Sequence, residues 1–152
     1  MKKIAVFPGS FDPFTKGHES VIEKALPLFD EIYIAFGINV SKNYAFDTEK
    51  RLAHVGQLYA GNEKIKVVSY SGLTVNFCKE VNAKHIIRGL RDTKDFEYEK
   101  PIAVTNEKMA GIETVLFYTA SEVAHISSTI IREIHKLGGD VSAFVTNFEV
   151  LV

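Results

Sequence analysis

Residues 4–18 read IAVFPGSFDPFTKGH. The segment opens on an unbroken apolar run, Ile4–Phe7, and turns at Pro8-Gly9 into a stretch of small and polar residues that ends in Lys16-Gly17-His18. Continuous rather than alternating apolarity marks a strand buried on both faces, as in parallel sheets. Amphipathic spacing follows at once, with Val21, Ile22, Ala25, Leu28 and Phe29 on one predicted helix face. Strand, glycine turn and helix thus stand in the order of the first half of a βαβ unit. Gly9 permits close backbone approach or a positive φ. Ser10 offers a hydroxyl and a backbone N–H. Gly17 lets an anion reach the helix start, where free N–H groups and the helix dipole favour negative charge. His18, in the first turn, is placed to direct its imidazole into the same space.

The same alternation continues along the chain. Short runs rich in Ile, Val, Phe and Tyr recur at Ile32–Phe36, Ile65–Val68, His85–Ile87 and Val115–Tyr118. Between them lie helical patterns. One carries Leu52, Val55, Leu58 and Tyr59, with Asp47 or Thr48 as N-cap, and a shorter one carries Leu73, Phe77 and Val81. A long helix is expected from Asp92 to about Met109, kinked or broken at Pro101, since an interior proline removes a donor and clashes one turn back. A last stripe of Ile130, Ile131, Ile134 and Leu137 ends at Gly138-Gly139. Five strands joined by helical crossovers predict a Rossmann-like α/β fold: a five-stranded parallel sheet with helices on both faces. Its ligands belong beyond the C-terminal strand ends, where the strand order switches.

With 152 residues, residues 1–152 are expected to form a single domain. Apolar residues make up 46% and charged residues 24%, which excludes a disordered chain. The net charge of −1 gives no bulk attraction to nucleic acid or to an anionic membrane, so any anion site must be a local cluster. Cys78 is the only cysteine, so no intramolecular disulfide forms. No signal peptide or membrane span is apparent, and a cytoplasmic location is expected.

Three further segments fall after predicted strands, on the same sheet edge as residues 9–18. Ile87-Arg88-Gly89-Leu90-Arg91-Asp92 brings two arginines suited to bidentate phosphate binding, with Asp95, Glu97 and Glu99 nearby as carboxylate partners. Ile126-Ser127-Ser128-Thr129-Ile130-Ile131-Arg132 places three hydroxyl residues where the last helix begins, for capping or for holding a phosphate. Lys42 lies in the loop after the second strand. The converging set is basic, rich in hydroxyls and contains one histidine. Neither GxGxxG nor GxxxxGK[ST] occurs, which argues against dinucleotide-type and P-loop sites. No nucleophile beside a base and no metal-ligand cluster is visible. Such a set suits phosphoryl or nucleotidyl transfer by positioning and charge stabilisation.

Thr15-Lys16-Gly17-His18 resembles the T/H-x-G-H signature of the nucleotidyltransferase superfamily. PGSFDPFTKGH, Ser41-Lys42, RGLRD, DFEYE at 95–99 and ISSTIIRE at 126–133 together resemble the bacterial phosphopantetheine adenylyltransferases over nearly the whole chain. That resemblance implies transfer of the adenylyl group of ATP to 4′-phosphopantetheine, giving 3′-dephospho-coenzyme A and pyrophosphate. It implies that His18 stabilises charge on the α-phosphate, and that Ser10, Phe11, His18, Gly89, Leu90, Arg91 and Glu99 meet ATP. The stretch Val123, Ala124, His125, Ile126, Ser127, Ser128 and Thr129 would wrap the nucleotide. Ser10, Lys42, Thr74 and Arg88 would hold phosphopantetheine. It further implies Mg2+ carried on the phosphates with no protein metal ligand, a homohexamer, coenzyme A as a feedback ligand, and no nucleic-acid or membrane partner. Against the family pattern, Ser10 stands where threonine is frequent, Val123 where an aromatic residue is common, and Gly72 where aspartate is frequent. The alternatives are a nucleotidyltransferase for another phosphorylated acceptor and a nucleotide-binding regulatory module that has lost activity.

The remaining histidines and Cys78 read as structural. His54 and His135 are expected on helix surfaces, His85 at a strand start, and Cys78 as a small helix residue. The tail Phe148, Val150, Leu151 and Val152 packs on the core or on a neighbouring subunit.

Overall fold

A computed structural model describes residues 1–152. Five strands, β1 (Ile4–Gly9), β2 (Glu31–Gly37), β3 (Ile65–Tyr70), β4 (His85–Leu90) and β5 (Glu113–Tyr118), alternate with helices α1 (Lys16–Ala25), α2 (Thr48–Leu58), α3 (Thr74–Glu80), α4 (Thr93–Ala110) and α5 (Ser128–Lys136). All pairings are parallel, in the order β3-β2-β1-β4-β5. The chain therefore winds outward from β1 through β2 to β3, then returns past β1 to β4. The switch lies between β1 and β4, and the C-terminal ends of these two strands carry Gly9 and Arg88–Leu90.

Each apolar run serves both faces of the sheet. On one face Ala5, Phe7, Ile32, Ile34 and Ile87 pack with Val21, Ile22 and Ala25 of α1 and Val55 of α2. On the other, Val6, Ala35 and Ile86 pack with Val75, Phe77 and Cys78 of α3 and with Ile112. A third cluster, Phe46, Ile126, Ile131, Val141, Val145 and Leu151, joins α5 to the C-terminal segment. The tail thus packs within its own chain. The Lys16 N–H donates to the Phe144 carbonyl (3.0 Å), and Thr146 Oγ1 donates to Glu19 (2.7 Å).

Several expectations need correction. Helix α1 ends at Ala25, and Leu28 is exposed: Leu26 still has helical backbone, but Pro27 has no N–H to continue the hydrogen-bond ladder. Only Ile131 of the α5 stripe is fully buried, with Ile134 half-buried, while Ile130 and Leu137 face outward. Leu73 precedes α3 at its N-cap and is exposed. Helix α4 runs unbroken through Pro101. Pro101 and Glu97, whose carbonyl loses its partner, both lie on the exposed side, where water can pair with the freed oxygen. His54 is fully buried, and its Nε2 donates to the Thr146 carbonyl at 2.6 Å. The C-terminal segment covers what the sequence presents as an outer helix face.

His85 does begin β4, packed near Phe29, and Asp47 takes the α2 N-cap. His135 is half-buried between the rings of Phe46 and Phe148.

Candidate active site

The segment that follows β1 is shaped by packing. A Cβ on Gly9 would lie 2.8 Å from the Phe11 ring, so close approach rather than a positive φ requires glycine there. Phe11 itself adopts φ 46°, a strained backbone for a bulky residue, and its ring is buried against Phe7, Phe14 and Phe36. The turn consequently presents Ser10 at the strand end and buries its neighbour. Thr15 caps α1. Its N–H donates to Nδ1 of His18 at 2.9 Å. An amide N–H can only donate, so Nδ1 is unprotonated and the neutral ring carries its hydrogen on Nε2. Phe14 stacks on the imidazole at 5.1 Å and Phe11 meets it edge-on. Burial among these rings, then the charges of Arg88 and Arg91, lower the His18 pKa to about 3.

Arg88 leaves β4 in a fixed orientation. Nε and Nη2 donate to the Glu99 carboxylate at 2.8–3.0 Å, and Nη1 donates to the Pro8 carbonyl at 2.7 Å. Glu99 is the single fully buried residue of α4. Arg91 pairs with Asp95 through its backbone N–H (2.8 Å) and through Nε (3.0 Å). Burial opposes ionisation of Asp95, yet these donors hold its carboxyl below the usual range. Glu97, the third expected carboxylate partner, is exposed and pairs with neither arginine. Lys42 Nζ donates to Ser10 Oγ at 3.0 Å. Ser127 caps α5, accepting from the Ile130 N–H, and Ser128 Oγ donates to the Pro13 carbonyl.

Two adjoining cavities result. The larger, about 390 Å³, is lined by Ser10, Phe11, His18, Arg88, Gly89, Arg91 and Glu99, and across from them by Ile126, Ser127, Ser128 and Thr129. The smaller, about 260 Å³, is lined by Thr74, Tyr70, Ile102 and Asn106. Ser10, Arg88, Tyr98 and Glu99 line both. The cavities thus gather the sequence-derived residues with few exceptions. Leu90 is buried, and Lys42, Val123, Ala124 and His125 lie outside the lining of both cavities, Lys42 meeting it only through Ser10. Val123 packs on the C-terminal cluster, and His125 is exposed beside Phe144. Gly72, at φ 82°, shapes the turn into α3 next to Thr74.

Sequence reasoning missed Arg132 as a site residue. It lines the larger cavity and donates to the Asp12 carbonyl at 2.9 Å and to Thr129 Oγ1. Its spacing of three from Thr129, on a helix that starts at the site, was the available signal.

No protein cage for a divalent cation is built here. Asp12 accepts the N–H groups of Ala45 and Phe46, Asp95 is taken by Arg91 and Glu99 by Arg88. Groups of three or more metal-ligating side chains are absent from the chain.

A parallel sheet of this order, with a glycine turn after β1, a histidine in the first turn of α1 and arginines at the end of β4, is the arrangement that the resemblance to nucleotidyltransferases implies. The cytidylyltransferase-like family model matches residues 6–134. A phosphopantetheine adenylyltransferase of Christiangramia forsetii is 52% identical over 95% of this chain and 95% of its own. That of Bacteroides thetaiotaomicron is 52% identical over 93% of each. Among solved structures, one described as a nicotinate-nucleotide adenylyltransferase from Vibrio parahaemolyticus covers 99% of this chain and 97% of its own, with TM-score 0.71 and 24% identity, a likeness of fold. The chain belongs to the phosphopantetheine adenylyltransferase family.

Proposed function

We propose that the chain transfers the adenylyl group of ATP to 4′-phosphopantetheine, releasing pyrophosphate and forming 3′-dephospho-coenzyme A. The observation that carries this reading is the shared wall of the two cavities, where Ser10 and Arg88 stand between a nucleotide-sized space and a second pocket beside Thr74. ATP occupies the larger cavity, with its phosphates toward Gly17, His18 and the Ser127–Thr129 turn. The acceptor phosphate lies at Ser10, Lys42 and Arg88, with the pantetheine arm in the smaller cavity.

A phosphate monoester is already ionised near neutral pH, so the nucleophile needs no general base. Its oxygen attacks the α-phosphorus in line while the bond to the β-phosphate oxygen breaks and pyrophosphate departs. At about 4 Å and an effective dielectric of 20, two like unit charges repel by roughly 4 kcal/mol. Lys42 and Arg88 offset that repulsion. His18 acts as a neutral donor through Nε2–H where charge grows on the α-phosphate. Mg2+ would enter on the triphosphate, screening its charge, because the cavity carboxylates are already paired.

Exposed apolar side chains on α4 (Phe96, Tyr98, Ile102, Val104 and Met109) and Tyr118 on the edge strand β5 support assembly with further copies, proposed as a homohexamer. Coenzyme A shares the pantetheine arm and is proposed as a feedback ligand of the smaller cavity. No helix is long and apolar enough to cross a membrane, and a cytoplasmic location is proposed.

The test is pyrophosphate release from ATP and magnesium with and without 4′-phosphopantetheine, beside a panel of other phosphorylated acceptors. Release with phosphopantetheine alone is expected. Release only with a different acceptor would reassign the smaller cavity, and no release from folded, ATP-binding protein would mark a binding module.

A further inference from the structure

The first turn of α2 holds a fully buried arginine that reaches neither cavity. Arg51 donates from Nε to the Phe46 carbonyl (3.0 Å), from Nη1 to the Ser10 carbonyl and from Nη2 to Thr48 Oγ1 (2.9 Å). The Tyr44 ring covers the guanidinium, with its centroid 4.0 Å away. Asp12, also buried, lies 3.9 Å from Arg51 and accepts the N–H groups of Ala45 (2.8 Å) and Phe46 (3.0 Å). Removing a guanidinium from water is costly, and an apolar side chain of similar volume would serve packing alone as well or better. What an apolar side chain cannot do is hold two main-chain carbonyls at a set separation. The two carbonyls belong to the loops that present Ser10 and Lys42.

We propose that Arg51 is a positioning residue: it locks the turn after β1 to the loop after β2, so that Ser10 Oγ and Lys42 Nζ form one phosphate-binding pair. Tyr44 connects the two roles. Its hydroxyl donates to Gly37 and accepts from the Asn39 N–H, fixing the base of the loop, while its ring stacks on Arg51 and lies 5.5 Å from Lys42 Nζ. Lys42 is itself exposed, and a long lysine holds a defined position only where its loop does. Asp12 completes the lock from the opposite side by fixing the N–H groups just ahead of α2.

This inference rests on the assignment of Ser10 and Lys42 to the acceptor phosphate, so wild-type kinetics come first. If the wild type uses a phosphorylated acceptor other than phosphopantetheine, the function above is reassigned and the same comparison is made with that acceptor. Arg51→Lys keeps the charge but cannot span both carbonyls. The expected result is an acceptor KM raised about tenfold, the loss of one charge-assisted contact, with the ATP KM within about twofold. The decisive measurement is the cycle with Lys42→Met. If Arg51 acts through Lys42, Arg51→Lys adds less than about twofold to the acceptor KM in the Lys42→Met background. Multiplying effects, or both KM values rising together, would show a merely structural role and overturn the proposal. Should Arg51→Lys not fold, Arg51→Gln removes the buried charge and keeps an amide that can donate to only one of the two carbonyls. It is judged by the same two criteria.

Discussion

The Thr15 backbone N–H and His18 Nδ1 are 2.9 Å apart, so the residue that caps α1 also sets the tautomer of the histidine in its first turn. Helix initiation and the orientation of the His18 ring use the same hydrogen bond. A ring committed in this way is a donor toward the cavity at every pH where it is neutral.

This predicts a pH dependence of stability. Burial, then Arg88 and Arg91, bring the His18 pKa from 6.5 to about 3 in the folded chain. Between those values the unfolded chain binds the proton that the folded chain refuses, so stability is lost as pH falls from about 6.5 toward 3. The Tm of the wild type should decline more steeply over that window than the Tm of His18→Gln, which has no titrating ring. Calorimetry at stepped pH measures both, and parallel curves would contradict the assignment.

Turnover should respond as it does to loss of one transition-state donor. His18→Ala is expected to lower kcat on the order of 10²–10³-fold while leaving ATP binding close to wild type. Equal turnover in the two proteins would remove His18 from the reaction.

Arg88 and Glu99 form a pair in which the carboxylate is the more deeply buried partner. Arg88→Met leaves that carboxylate uncompensated. A stability loss of about 2 kcal/mol in urea unfolding is expected. Acceptor binding should weaken about tenfold or more, from loss of the guanidinium at the shared wall. A variant as stable as wild type would mean that Glu99 finds another partner.

Cys78 is buried in the α3 layer, and burial pushes its thiol up to about 11. The native protein should therefore react with a disulfide reagent only through opening of that layer. Labelling at neutral pH is expected to accelerate steeply near the unfolding midpoint. Stoichiometric labelling within seconds in native buffer would show that α3 is not seated as described.

Val104 is an exposed apolar residue of α4, outside both cavities. Val104→Glu should shift sedimentation velocity toward smaller species, with the monomer's circular dichroism retained. An unchanged sedimentation coefficient would place the subunit interface elsewhere.

The strands were legible because parallel strands buried on both faces leave continuous runs such as Ile32–Phe36. The candidate site was legible because its residues follow those strands directly. Other features depend on contacts between distant parts of the chain. Arg51 stands four residues before Val55 and seven before Leu58, on the apolar side of α2, but its partners at Ser10 and Phe46 are main-chain carbonyls, which carry no sequence signal. His54 reads as a surface residue until the segment around Thr146 is laid over it. Pro101 reads as a kink or break, yet α4 continues through it because its outer side accommodates the ring. Leu28 continued the periodicity of α1, but the local effect of Pro27 decided the outcome.

The C-terminal segment separates two kinds of stability. Val141, Val145 and Leu151 complete the packing beneath α5, whose first turn holds the Ser127–Thr129 wall. The strands pack in two other clusters that contain none of these residues. Local opening of the C-terminal cluster would therefore release that wall of the larger cavity while the sheet keeps its pairing, so the wall opens at a lower free energy than the strands that carry it.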